Sequence, residues 1–147
     1  MSGPARASGK RSVGVKLMNR PAVLVVEDVP QTRATSVQLF QELGCEVFDA
    51  YNGHGALKVL EAHPEIQVLF ADVRMPGMNG PELAQVARLL RPDLRIVLTS
   101  GYVSRNDVPD GIPFVPKPWR TGDLVEIVTG DRLQGGGLSS CAGVAVA

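Results

Sequence analysis

The chain of 147 residues carries 15 basic and 15 acidic side chains and is 44% hydrophobic, enough for one compact domain with a real core and too short for a second full one. No apolar run of about 18 residues occurs and the first twenty residues hold no continuous apolar block, so neither a membrane span nor a secretory leader is expected, and the reading is cytoplasmic. Zero net charge is a cancellation: Arg6, Lys10, Arg11, Lys16 and Arg20 stand without an acid in residues 1–20, while residues 21–130 hold nine basic and fourteen acidic side chains.

Three regions follow from this distribution. Residues 1–20 are expected to be a basic flexible tail, residues 21–130 the folded domain, and residues 131–147 (DRLQGGGLSSCAGVAVA) a flexible Gly, Ser and Ala-rich tail. Met18 offers an alternative start just before the first apolar run. Cys45 and Cys141 lie far apart without CxxC spacing, which argues against a disulfide framework or a zinc site.

In chain order, residues 22–26 (AVLVV) predict a strand buried on both faces that ends in Glu27-Asp28. Gln31 to Leu43 carries Ala34, Val37, Phe40 and Leu43 near helical spacing and stops at Gly44, and Ala34 and Val37 are expected to face inward. Cys45 to Ala50 predicts a second strand. Gly55 to Ala62 predicts a second helix, closed by His63-Pro64, with His54 and His63 on the solvated surface.

Ile66 to Ala71 predicts a buried strand with Asp72 immediately after it, then the loop VRMPGMNG, then a helix from Pro81 to Arg91-Pro92 with Leu83, Val86, Ala87 and Leu90 on one face. Leu94 to Thr99 predicts the fourth strand, with Ser100-Gly101 at its end. Residues 103–111 are polar and Pro-interrupted, so a fourth helix there is short or missing. Ile112 to Val115 gives a fifth strand, Lys117 follows it, and Thr121 to Val128 gives a last helix, with Trp119 read as a packing residue at its start.

Strands alternating with helices predict an α/β fold with right-handed crossovers and a parallel sheet covered on both faces, its site beyond the carboxyl ends of the strands. That rule gathers Glu27, Asp28, Asp72, Ser100 and Lys117 into one pocket. Clustered carboxylates repel, so at neutral pH they need a cation or raised pKa values, and hard oxygen ligands favour magnesium with a position left for a phosphate oxygen. With Lys117 as a point charge and Ser100 as a hydroxyl donor, the set suits phosphoryl transfer.

The acidic pair in VLVVED, the FADVRMPGMNG segment, the LTSG pair and the KP of FVPKPW together resemble the response-regulator receiver domains of two-component signalling, over about residues 21–130. The resemblance implies a flavodoxin-like, doubly wound five-stranded parallel sheet of order 2-1-3-4-5 with helices on both faces. It implies that Asp72 is the phosphoacceptor and nucleophile, and that Mg2+ is held by Asp28 directly, Glu27 partly through water, Asp72 and the backbone carbonyl of Arg74. It implies that Lys117 pairs with phosphoryl oxygens and that Ser100 bonds to them, with Thr99 as the neighbouring alternative. Phe114 matches an aromatic switch position and equally reads as core. Met75 and Pro76 shape the acceptor loop, Gly80 admits the chain to the next helix, and Lys117-Pro118 matches a frequent cis bond.

The implied partners are a histidine kinase or histidine phosphotransfer protein and a downstream protein target, with no DNA-binding output module after residue 130 and no membrane partner. The short stretch from Ser100 to Phe114 resembles receivers attached to hybrid histidine kinases and argues for a monomer or weak dimer. Two rivals stand beside this reading: a degenerate docking receiver, and a metal-dependent aspartyl phosphatase, which would carry a second acid where this chain has Arg74.

Overall fold

The computed structural model describes residues 20–101 and 108–130. Strand β1 (Ala22–Val26) is followed by helix α1 (Pro30–Glu42), β2 (Glu46–Ala50), α2 (Gly53–Ala62), β3 (Val68–Asp72), α3 (Gly80–Leu90), β4 (Arg95–Ser100), β5 (Phe114–Pro116) and α4 (Thr121–Thr129). The strands make one parallel sheet in the order β2-β1-β3-β4-β5, as the sequence resemblance implied.

Period-two alternation divides the core between the two faces of this sheet. Leu24, Val26, Leu69, Ala71, Leu98 and Phe114 pack with Ala56 and Leu60 of α2 and Leu83, Ala84 and Ala87 of α3. Val23, Val25, Phe70, Val97 and Val115 pack with Phe40 of α1 and Leu124, Ile127 and Val128 of α4. Phe40 meets Phe70 edge-on with ring centroids 5.2 Å apart. Full burial of a side chain such as Phe40 or Leu60 contributes about 1.5–3 kcal/mol, which outweighs the weak intrinsic helicity of a segment such as α1.

Local chemistry fixes the helix ends. The Asn52 side chain accepts from the Gly55 N–H at 2.7 Å, so α2 begins two residues before the expected Gly55. Asn79 and Glu82 form a reciprocal capping box that starts α3 at Gly80. The Arg95 guanidinium donates to the Val128 carbonyl at 3.0 Å, tying the end of α4 to β4.

Sequence expectations are corrected in two helices: in α3 Leu90 is exposed although Leu83 and Ala87 of the same apolar repeat are buried, and α1 turns a different face inward. Ala34 is exposed, whereas Ser36 and Phe40 are the buried residues of α1. The Ser36 hydroxyl donates to the Thr32 carbonyl at 3.0 Å, and this internal bond lets a polar residue occupy a core-facing position that an apolar pattern assigns to its neighbours. Among the described residues no helix lies between β4 and β5. The end of that connection is anchored instead by Val108, 6% exposed, and Ile112, 1% exposed, which enter the core beside α3. Residues 103–107 and nearly all of the two expected tails lie outside the described residues.

Candidate functional site

β1, β3, β4 and β5 all end at one edge of the sheet, and their last residues form the site. The Glu27 N–H donates to the Ala50 carbonyl at 3.1 Å, extending the β1–β2 ladder to the acidic pair. Glu27 is 3% exposed and its carboxylate accepts from the Val29 N–H at 3.1 Å. Asp72, 9% exposed, closes β3 and accepts from the Arg74 N–H at 3.4 Å. Carboxylate oxygens of Glu27, Asp28 and Asp72 lie within 4.8 Å of one another.

Lys117 stands just beyond β5, where its N–H donates to the Ser100 carbonyl at 3.1 Å. Its ammonium reaches Glu27 Oε1 and Asp72 Oδ2, each at 3.4 Å. Among the described residues, Lys117 thus pairs with two of the three clustered carboxylates. Burial chiefly, with the neighbouring Asp72 charge adding to it, raises the Glu27 carboxyl to about 6, while the Val29 N–H and Lys117 act in the opposite direction. A set of hard oxygen ligands with surplus negative charge fits a magnesium-sized divalent cation, and among the described residues Glu27, Asp28 and Asp72 are side chains able to hold it.

The two hydroxyl residues separate by strand alternation. Thr99 pairs in register with Asp72 and Val115, and its hydroxyl donates to the Val115 carbonyl at 2.6 Å while accepting from the Trp119 indole N–H at 2.8 Å. Ser100, 2% exposed, lies on the opposite side of β4, the side shared with Leu98 and Phe114. Phe114 is 8% exposed and belongs to the core there. Arg74 is exposed, and its backbone N–H belongs to the loop beside Asp72. The Lys117–Pro118 bond is cis.

Gly80 is required by a close approach. A Cβ at that position would overlap the Asp72 carbonyl oxygen and lie 2.9 Å from the Val73 Cα, so the absence of a side chain brings α3 against the backbone that carries Asp72.

Sequence reasoning missed Arg33. Its guanidinium donates to the Glu27 carbonyl at 2.9 Å and pairs with Asp49 at 3.3 Å, clamping the end of β1 to β2 from α1. An isolated arginine at a helix start carries no motif, and only the crossover geometry places it under Glu27. The reading of Trp119 as packing holds, since it meets Phe70 edge-on at 5.3 Å, but its bond to Thr99 was not legible.

Residues 23–129 match the family model described as the response regulator receiver domain, and the chain belongs to that family. Receiver domains are phosphoacceptor signalling domains of two-component systems rather than conventional enzymes. Among relatives, the sensor kinase CckA of Brucella abortus (strain 2308) is 34% identical over 118 residues, 76% of this chain, which spans only 12% of that kinase. The response regulator receiver protein CpdR of the same organism is 32% identical over 108 residues, covering 70% of this chain and 89% of CpdR. The solved receiver domain of the hybrid histidine kinase CckA superposes with a TM-score of 0.64 at 34% identity, covering 74% of this chain and 96% of that one. The structure of a CheX-CheY-BeF3-Mg+2 complex from Borrelia burgdorferi is similar at a TM-score of 0.68 and 25% identity, covering 75% of this chain and 87% of the matched one.

Among the described residues, no helix is long and apolar enough to cross a membrane.

Proposed function

We propose that this receiver takes a phosphoryl group onto Asp72 from the phosphohistidine of a kinase or phosphotransfer protein, and passes the signal on by phosphorylation-dependent protein binding or by relay. The observation that carries this reading is the meeting of Asp72 with Glu27, Asp28 and Lys117 at the ends of three separate strands. Asp28, Asp72 and the Arg74 carbonyl would hold magnesium directly and Glu27 partly through water. When bound, the ion supplies charge neutralisation between the carboxylates and the incoming phosphoryl oxygens.

An Asp72 carboxylate oxygen attacks phosphorus and forms the new P–O bond as the P–N bond to the donor imidazole breaks. The electron pair of that bond stays on the imidazole nitrogen, which takes up a proton, and Asp72 becomes an acyl phosphate. Lys117 holds the phosphoryl oxygens in line, moving little from its position between Glu27 and Asp72. Ser100 then donates its hydroxyl to a phosphoryl oxygen. Thr99, the neighbouring alternative, instead binds the Val115 carbonyl and the Trp119 indole N–H. Phe114, at the matched switch position, is already buried with the core in this structure.

Incubation with magnesium and acetyl phosphate, followed by intact-mass measurement, tests the reading. One added phosphoryl group, absent from Asp72→Asn, is expected. An unmodified wild-type protein, or a phosphorylated Asn variant, overturns it.

A further inference from the structure

Lys117 is held from a second side. Its ammonium lies over the Trp119 indole, 5.7 Å from the ring centroid, a distance at which the negative face of the ring attracts a cation. The indole is itself fixed by two further contacts of different kinds. Its N–H donates to Thr99 Oγ1 at 2.8 Å, and its ring meets Phe70 edge-on at 5.3 Å. Thr99 in turn donates to the Val115 carbonyl at 2.6 Å, two residues before Lys117, so its hydroxyl is spent at both ends. Glu27, Asp72, Thr99 and Trp119 all line one narrow crevice.

We propose that Trp119, keyed by Thr99, is a positioning residue that holds the Lys117 ammonium between Glu27 and Asp72, ready for the phosphoryl oxygens. This rests on the function proposed above and adds a role that a packing residue does not have. A lysine is a flexible point charge on a four-carbon stem, and two carboxylates at 3.4 Å fix its distance from the acids but not its approach to a third group. The indole face, 5.7 Å from the ammonium, adds a third contact that limits the remaining freedom. Thr99 supplies the hydroxyl because an apolar residue there would leave the half-buried indole N–H without its acceptor.

A double-mutant cycle separates this role from simple packing. The readout is the rate of phosphorylation by acetyl phosphate at saturating magnesium for the full chain and for Trp119→Leu, Trp119→Phe and Thr99→Val, each also in a Lys117→Met background. Trp119→Leu is expected to slow the reaction about fivefold, the size of a partly desolvated cation–π contact, and Trp119→Phe, which keeps a ring face, to restore most of the loss. In the Lys117→Met background the Trp119 changes are expected to have no further effect, since the group they position is gone. The upfield NMR shift that the indole ring gives the Lys117 ε-methylene protons, read without any phosphodonor, is expected to shrink in Thr99→Val and vanish in Trp119→Leu. Equal losses in both backgrounds, or an unchanged Lys117 methylene shift in every folded variant, overturn the proposal while leaving Asp72 as the acceptor. Failure of the wild-type protein to be phosphorylated overturns the functional reading and this proposal with it.

Discussion

Gly80→Ala is the sharpest structural perturbation of the site, because the added methyl meets backbone rather than a flexible side chain. It would overlap the Asp72 carbonyl oxygen and sit 2.9 Å from the Val73 Cα. Neither can move without shifting the end of β3, where Val73 N–H donates to the Thr99 carbonyl at 2.9 Å and the Gly80 N–H donates to the Val73 carbonyl at 2.9 Å. Overpacking of this kind costs about 1–3 kcal/mol, and the rigid obstacle places this substitution near the upper end. With a urea dependence of about 1–3 kcal/mol per molar, the unfolding midpoint falls by about 1 M or more. Two other glycines calibrate the result. Gly122 in α4 has open space where a methyl group would stand, with nothing within 4 Å, and no left-handed backbone, so Gly122→Ala is expected to stabilise by about 0.5 kcal/mol. Gly77 is equally open but has φ +76°, so Gly77→Ala costs about 1–2 kcal/mol through backbone conformation alone. Only Gly80→Ala is expected to impair phosphorylation as well as stability. A Gly80→Ala protein that unfolds at the wild-type urea concentration and is phosphorylated normally refutes the close-approach argument.

Further outcomes follow from single contacts. Lys117→Met removes the ammonium that competes for the carboxylates at 3.4 Å, so magnesium affinity measured by titration calorimetry is expected to rise at least about fivefold while phosphorylation slows; weaker magnesium binding contradicts the assignment. Asp28→Asn is expected to weaken magnesium binding more than Glu27→Gln, and equal or reversed losses count against a direct ligand role for Asp28. Arg91 donates to the carbonyls of Leu60, Pro64 and Ile66 at the end of α2, so Arg91→Ala is expected to cost about 2 kcal/mol in urea unfolding without changing the phosphorylation rate of the folded protein. Burial pushes the Cys45 thiol up to about 12, which keeps it protonated in the fold at every pH below that value, so in a Cys141→Ser background native protein is expected to resist alkylation at pH near 8.5 and to react once unfolded in urea.

The strand pattern made the sheet readable: wholly apolar runs such as AVLVV can only be buried on both faces, and acids placed just after such runs fall at one edge of a parallel sheet. The same logic brought Glu27, Asp28, Asp72 and Lys117 together from the sequence alone. Strand ends slipped by one or two residues, as in β5, where Phe114–Pro116 replaces the expected Ile112 to Val115, because Ile112 is buried through a turn rather than through strand pairing. Ala34 was misplaced because α1 carries a mixed pattern, and the residue that decides its orientation is Ser36, a polar side chain satisfied within its own helix. Arg33 and the Thr99–Trp119 bond escaped for a common reason. Each joins side chains of different elements, Arg33 of α1 to Asp49 of β2 and Trp119 to Thr99 of β4, and nothing in the local spelling marks which partner a guanidinium or an indole N–H will meet.

The central claim is that the Asp72 carboxylate itself carries the phosphoryl group. Borohydride reduces an acyl phosphate to the corresponding alcohol, so protein treated with magnesium and acetyl phosphate, then reduced and digested, records the acceptor as a homoserine in the peptide sequence. Homoserine at position 72, dependent on both magnesium and the phosphodonor, is the expected result. Homoserine formed instead at Asp28 or at any other aspartate, or no reduction product at all, contradicts the account.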